Sequence, residues 1–120
     1  MWLAPADLTV ELALGLRRME PFGVGNPEPV FGLRGVRLCE LRLLGADGGH
    51  LSCSIAGFKA IWWGHGRDID ALRARSANPL DVRFTVEYSD YGGSHVELRV
   101  ISVSDSSKTR FFCPSESNIV

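Results

Sequence analysis

Val82-Arg83-Phe84-Thr85-Val86-Glu87-Tyr88 and Val96-Glu97-Leu98-Arg99-Val100 are the most regular segments of the chain. Val82, Phe84, Val86 and Tyr88 alternate with Arg83, Thr85 and Glu87; Val96, Leu98 and Val100 alternate with Glu97 and Arg99. Successive strand side chains point to opposite faces, so each segment predicts a strand with one buried and one solvated face. Ser89-Asp90-Tyr91-Gly92-Gly93 between them supplies residues that tolerate positive φ, which makes the pair a hairpin.

Upstream of this hairpin, Asn78-Pro79 closes residues 66–76, where Ile69 and Leu72 stand among Arg67, Asp68, Asp70, Arg73 and Arg75. That spacing predicts a short helix, with Asp68 and Asp70 favouring the positive end of its dipole. Earlier still, Leu51-Ser52-Cys53-Ser54-Ile55 alternates as a half-buried strand should, and Phe58–Trp63 returns after the tight turn Ala56-Gly57. Ala46-Asp47-Gly48-Gly49 is a further hairpin turn. It leads back to Val30–Leu44, rich in Val and Leu but lacking a clean period of two, which reads as one long first strand bent at Gly32 or Gly35. Leu8, Leu12, Leu16 and Met19 form one stripe of an N-terminal helix, with Asp7 and Thr9 as capping candidates and Pro21 as its stop. The plan is a helix over residues 1–20, a connector over 21–31, a β domain over 32–103, and a polar, mobile tail over 104–120 pinned by Phe111 and Phe112. Three strands, a short helix and two more strands is the connectivity of a mainly β, five-stranded OB-fold barrel. A small α+β sandwich with the same order is the alternative.

Composition sets outer bounds. A chain of 120 residues with 45% hydrophobic and 22% charged residues is one globular domain. Cys39, Cys53 and Cys113 are odd in number and widely spaced, which suits a reducing, cytoplasmic setting rather than a disulfide framework. No apolar run is long enough to span a membrane, and Glu11 interrupts the N-terminal segment where a signal peptide would be apolar. Net charge is −1, whereas nucleic-acid binders usually carry a basic excess. Any basic surface must therefore be local, with acids segregated elsewhere.

The connector Pro21-Phe22-Gly23-Val24-Gly25-Asn26-Pro27-Glu28-Pro29-Val30-Phe31 is constrained by its Pro and Gly residues and framed by Phe22, Val30 and Phe31. It reads as a rigid elbow rather than a flexible linker, with Pro21, Phe22, Gly23, Gly25, Asn26, Pro27, Pro29 and Phe31 as its structural residues. Pro27 also holds Asn26 toward an extended conformation. The pattern PFG-x-GNPEP-x-F resembles the connector leading into the C-terminal OB domain of RecJ-type exonucleases specific for single-stranded DNA. Gly49-His50-Leu51, Ala60-Ile61-Trp62-Trp63-Gly64 and Val96-Glu97-Leu98-Arg99-Val100 extend the resemblance over about residues 7–103. The resemblance implies an accessory domain of a 5′→3′ exonuclease in DNA recombination and repair. The parent's DHH and DHHA1 domains would do the catalysis with Mn²⁺ or Mg²⁺. It also implies partners: single-stranded DNA, those catalytic domains, and single-strand-binding protein. The segment has no Asp-His-His and no acid cluster for two metals, so it is read as a non-enzymatic piece of a longer enzyme, without a cofactor or metal of its own.

Single strands are held by aromatic platforms and by cations tracking phosphates. With Ile61 and Trp63 facing inward, Trp62 faces outward on the third strand; Trp62, Lys59 and His50 are then candidates on the usual OB binding face. Trp62 packed under a loop or against the helix is the alternative. Tyr91 stands at a loop tip where OB ligands are often gripped, or is ordinary turn chemistry. Arg83 and Arg99 could meet phosphate, or belong to a mixed-charge face with Glu87 and Glu97. Arg34, Arg37 and Arg42 give the first strand a basic character suited to DNA or to acids of a neighbouring domain, with Arg34 and Arg37 the candidates for DNA. His65 stands apart from His50 and His95 in sequence, which argues against a metal site. Two function classes remain: a DNA-binding accessory module and an interaction scaffold.

Overall fold

A computed structural model describes residues 1–106. The polar tail, with Phe111, Phe112 and Cys113, lies outside the described residues from position 107 onward. Seven strands and two α-helices follow in order: β1 (Trp2–Leu3), α1 (Val10–Arg17), β2 (Phe31–Val36), β3 (Leu38–Leu44), β4 (His50–Ile55), β5 (Phe58–Trp62), α2 (Ile69–Arg75), β6 (Leu80–Ser89) and β7 (His95–Asp105). Short 3-10 turns at Pro5–Asp7 and Gly66–Asp68 precede the helices.

The strands form one sheet in the order β1-β2-β6-β7-β5-β4-β3. β1 runs parallel to β2 and β5 parallel to β7; the other neighbours are antiparallel. The mainly β architecture matches the sequence reading, but seven strands in an open order replace the expected closed five-stranded barrel. The difference has two sources. The expected first strand is realised as β2 and β3, separated at Arg37, and its halves pair with β6 and β4 respectively. Gly35 at φ 65° and Glu40 at φ 54° bend it, and the β2–β6 register shifts between Leu33 and Val36. Consecutive residues thus supply β2 near one end of the order and β3 at the other. The second source is β1, which adds a strand where helix was expected.

The N-terminal helix is correspondingly shorter than residues 1–20. Thr9 caps it, its Oγ1 accepting the Leu12 N–H at 3.1 Å. Ala13 and Leu16 are buried on its inner side and Leu8 just before the cap, whereas Met19 lies beyond its end and is exposed. α2 buries Ile69 and Leu72 as expected. Asp68 makes no side-chain cap, however: it pairs with His65 at 2.8 Å, and Asp70 sits 3.7 Å from Arg73.

The core is built chiefly from the C-terminal hairpin. Val82, Phe84, Val86, Val96, Leu98 and Val100 are all buried, with Leu33, Leu51, Ile55 and Leu80 packed among them. A bulge changes the register between Arg83 and Phe84, and Ile101 on the opposite strand is left exposed. β7 continues to Asp105, two residues into the segment expected as tail.

Candidate nucleic-acid interface

Gly23 and Asn26 exchange backbone hydrogen bonds of 2.8 and 3.0 Å, which makes the connector a tight turn with Gly25 at φ 85°. The Asn26 side-chain amide donates to the Met19 and Pro21 carbonyls, both at 2.9 Å, and ties the turn back to the end of α1. Pro27, Pro29 and half-buried Phe22 carry the chain into β2, where Phe31 is buried against the core. Val30, expected as an anchor, is instead 42% exposed. The connector's missing anchor is a charge: Glu28 accepts from Arg99 at 2.8 Å.

That bond settles the disposition of Arg99. Its remaining donors go to Glu87 at 3.1 Å and to the buried Thr85 hydroxyl at 3.2 Å. The Arg99 guanidinium is committed to the protein. Nearby, Lys59 is exposed and stands opposite Glu97 in the β5–β7 register. His95 meets Glu97 through Nε2 at 2.9 Å and the Gly93 carbonyl through Nδ1 at 2.8 Å. Both ring nitrogens thus face acceptors, so the Glu97 carboxylate and then the Gly93 carbonyl raise the His95 pKa above its ordinary value. A raised folded-state pKa means that this pair's contribution is complete below the unfolded pKa and fades as pH rises through the folded one. A proton NMR titration should place the His95 midpoint above that of a free histidine, and Glu97→Gln should lower it.

Arg34 and Arg83, distant in sequence, are brought together. The β2–β6 register sets Arg83 opposite Gly32, and Arg34, two residues further along β2, shares that face. Trp2 of β1 covers it. A Cβ added at Gly32 would stand 2.5 Å from Trp2 Cζ3, so the indole rests on the glycine. The Arg34 and Arg83 guanidinium carbons lie 4.3 and 5.5 Å from the ring centroid, within cation–π range. Alongside is a recess of about 250 Å³ lined by Met1, Trp2, Val30, Phe31, Gly32 and Arg83. Among the described residues neither arginine, nor exposed Arg37 at the β2–β3 junction, pairs with a carboxylate. Asp81, two residues before Arg83, spends Oδ1 on the Gly35 N–H at 3.0 Å.

Trp62 does not face outward as an OB platform would; it takes the packed alternative. It pairs with buried Leu51, packs against the core, and stacks on His65 with centroids 4.0 Å apart. Trp63 is the exposed indole, and His50 meets it edge-on at 4.9 Å while accepting the Gly64 N–H at 2.8 Å. Tyr91 is 90% exposed at the β6–β7 loop tip. The candidates therefore separate into distinct regions, and Arg34 with Arg83 is the pair that shares one aromatic partner. Sequence reasoning missed Trp2, whose neighbours Gly32, Arg34 and Arg83 are all far along the chain; an indole outside the Leu8-Leu12-Leu16 stripe was its one signal.

Cys53 is buried, which with nearby Cys39 pushes its thiol up to about 11. Among the described residues no group of three His, Cys, Asp or Glu could hold a metal ion, and no helix is long and apolar enough to cross a membrane.

No curated protein matches the chain. A crystal structure of RecJ in complex with Mn²⁺ from Thermus thermophilus is 27% identical, with a TM-score of 0.63 over 87% of this chain and 15% of that one. The Mg²⁺ complex of RecJ from the same organism is 22% identical, with a TM-score of 0.58 over 87% of this chain and 16% of that one, and shows the likeness of fold. The chain thus spans about 15% of the length of the RecJ structure it first matches. The family model for the RecJ OB domain matches residues 1–102, and the chain belongs to that family.

Proposed function

We propose that this domain binds single-stranded DNA as an accessory module of a RecJ-like 5′→3′ exonuclease in DNA recombination and repair, holding substrate for catalytic domains of the DHH and DHHA1 type. The carrying observation is the convergence of Arg34 and Arg83 on the Trp2 ring, a local basic site that a net charge of −1 conceals. Among the described residues Arg99, Arg73 and Arg75 pair with acids, while Arg34 on β2, Arg37 at the β2–β3 junction and Arg83 on β6 do not. Phosphate neutralisation supplies most sequence-independent affinity, and unpaired arginines beside an indole are suited to it. Mn²⁺ or Mg²⁺ would belong to the parent's catalytic domains, and the setting would be cytoplasmic.

Fluorescence anisotropy with a labelled oligothymidylate tests this. Weak binding that falls steeply with salt is expected, without hydrolysis when Mn²⁺ is added. A folded chain with no binding at low salt would refute the reading. Arg99→Gln should change affinity less than about twofold, because its guanidinium already serves Glu28 and Glu87. The scaffold reading, in which the domain docks on the catalytic core or recruits single-strand-binding protein, draws on the same unpaired arginines. Charge reversal at Arg34 and Arg37 discriminates: loss of a protein partner with DNA affinity intact would favour the scaffold.

A further inference from the structure

We infer that Trp2 organises Arg34 and Arg83 into a two-guanidinium clamp for the phosphodiester backbone, an inference that rests on the single-stranded-DNA reading above. Two cations held around one ring repel each other, and among the described residues neither has a carboxylate to offset that repulsion. The indole face supplies partial compensation, and an anion between the guanidiniums would supply the rest. A guanidinium lying over an aromatic ring keeps its in-plane N–H edge available, and that fork matches the geometry of phosphate oxygens.

The seat of the ring strengthens the assignment. Gly32 is buried in β2, and its backbone lies outside the left-handed region, so conformation does not require glycine there. A strand glycine weakens a sheet, and here its missing Cβ makes room for Trp2. With Gly32 against the ring and both guanidiniums within cation–π range of it, the indole is spent on positioning rather than left as a platform for a base. Trp2 is thus a positioning residue, and the arginines make the contact. The clamp reads backbone, so affinity should not depend on base sequence.

Anisotropy across a salt series tests this with the whole chain, each variant first shown folded by circular dichroism. Arg34→Gln with Arg83→Gln should weaken oligothymidylate binding by roughly tenfold at low salt and remove about 1.4 from the slope of log K against log salt, at ~0.7 per phosphate. Trp2→Leu keeps both charges; it should weaken binding by about three- to fivefold with little change in slope, and Trp2→Phe should recover most of the loss. Gly32→Ala should behave like Trp2→Leu by displacing the ring. Pyrophosphate should compete poorly with the oligonucleotide.

The failures are distinguishable. If the wild-type chain does not bind, the DNA reading falls and the clamp with it. If it binds and the double arginine variant binds equally, the clamp alone is wrong. If the arginine variant weakens but Trp2→Leu and Gly32→Ala do not, the positioning role of Trp2 is overturned. Displacement by pyrophosphate at matched charge would overturn the assignment to phosphodiester.

Discussion

Gly66→Ala is expected to lower the melting temperature by ~10 °C or more, corresponding to about 3 kcal/mol at the upper end of overpacking costs. Gly66 is buried where the chain after β5 crosses the turn before β4, and its N–H donates to the Gly49 carbonyl at 3.1 Å. An added Cβ would overlap the Gly48 carbonyl oxygen and stand 2.9 Å from the Gly49 carbonyl carbon. Both are backbone atoms of a tight turn, so no side chain can rotate away. Either the turn moves or the hydrogen bond breaks.

Two other glycines calibrate the measurement. Gly64 takes φ 78° with open space around its Cβ position, so Gly64→Ala should cost about 1 kcal/mol through backbone strain alone. Gly15 lies within α1 with nothing near its Cβ position, so Gly15→Ala should stabilise by roughly 0.5–1 kcal/mol. Thermal unfolding followed by circular dichroism should rank the variants in that order. A Gly66→Ala melting point within ~2 °C of wild type, about 0.5 kcal/mol, would show that the turn yields freely.

The contrast between Gly66 and the C-terminal hairpin shows what the sequence could express. The strands around Phe84 and Leu98 were legible because their burial alternates with the strand period, a property written locally. Family membership was legible in the connector, where Pro, Gly and Asn leave few backbone choices. The phase of Trp62 was not. The apolar run Ala60-Ile61-Trp62-Trp63 closes β5 and continues one residue past it, so either alternation fits, and pairing with buried Leu51 decides it. Trp2 was illegible for a related reason: a two-residue strand has no period, and its pairing with β2 is long-range. The arginines were named as candidates, yet their fates differ through partners elsewhere in the chain. Arg99 is consumed by Glu28 and Glu87, while Arg34 and Arg83 converge on an indole. Side-chain identity carried the chemistry, and register determined which of it remained available.

Phe84→Ala is the other change with a large expected effect, about 3–5 kcal/mol for a fully buried phenylalanine. Phe84 stands opposite Phe31 on β2 and Val100 on β7, immediately after the bulge at Arg83. One ring therefore joins the residue that ends the connector to the hairpin that forms most of the core. Its removal leaves a void bounded by both, and strands hydrogen-bonded on either side cannot collapse fully into it. Against a typical total of about 5–15 kcal/mol, that loss would place the domain close to unfolding. Phe84→Leu retains most of the volume and should cost about 1.5 kcal/mol or less. Urea titration should show a lower midpoint for both variants with the slope unchanged. DNA affinity provides the second readout: Phe84 is wholly buried, whereas Arg34 and Arg83 are exposed. At a temperature where Phe84→Leu remains folded, its oligothymidylate affinity should match wild type within about twofold, since no phosphate contact is lost. A folded Phe84→Leu variant with affinity reduced as far as in the double arginine variant would mean that the register at the bulge, rather than the guanidinium pair itself, sets the binding surface.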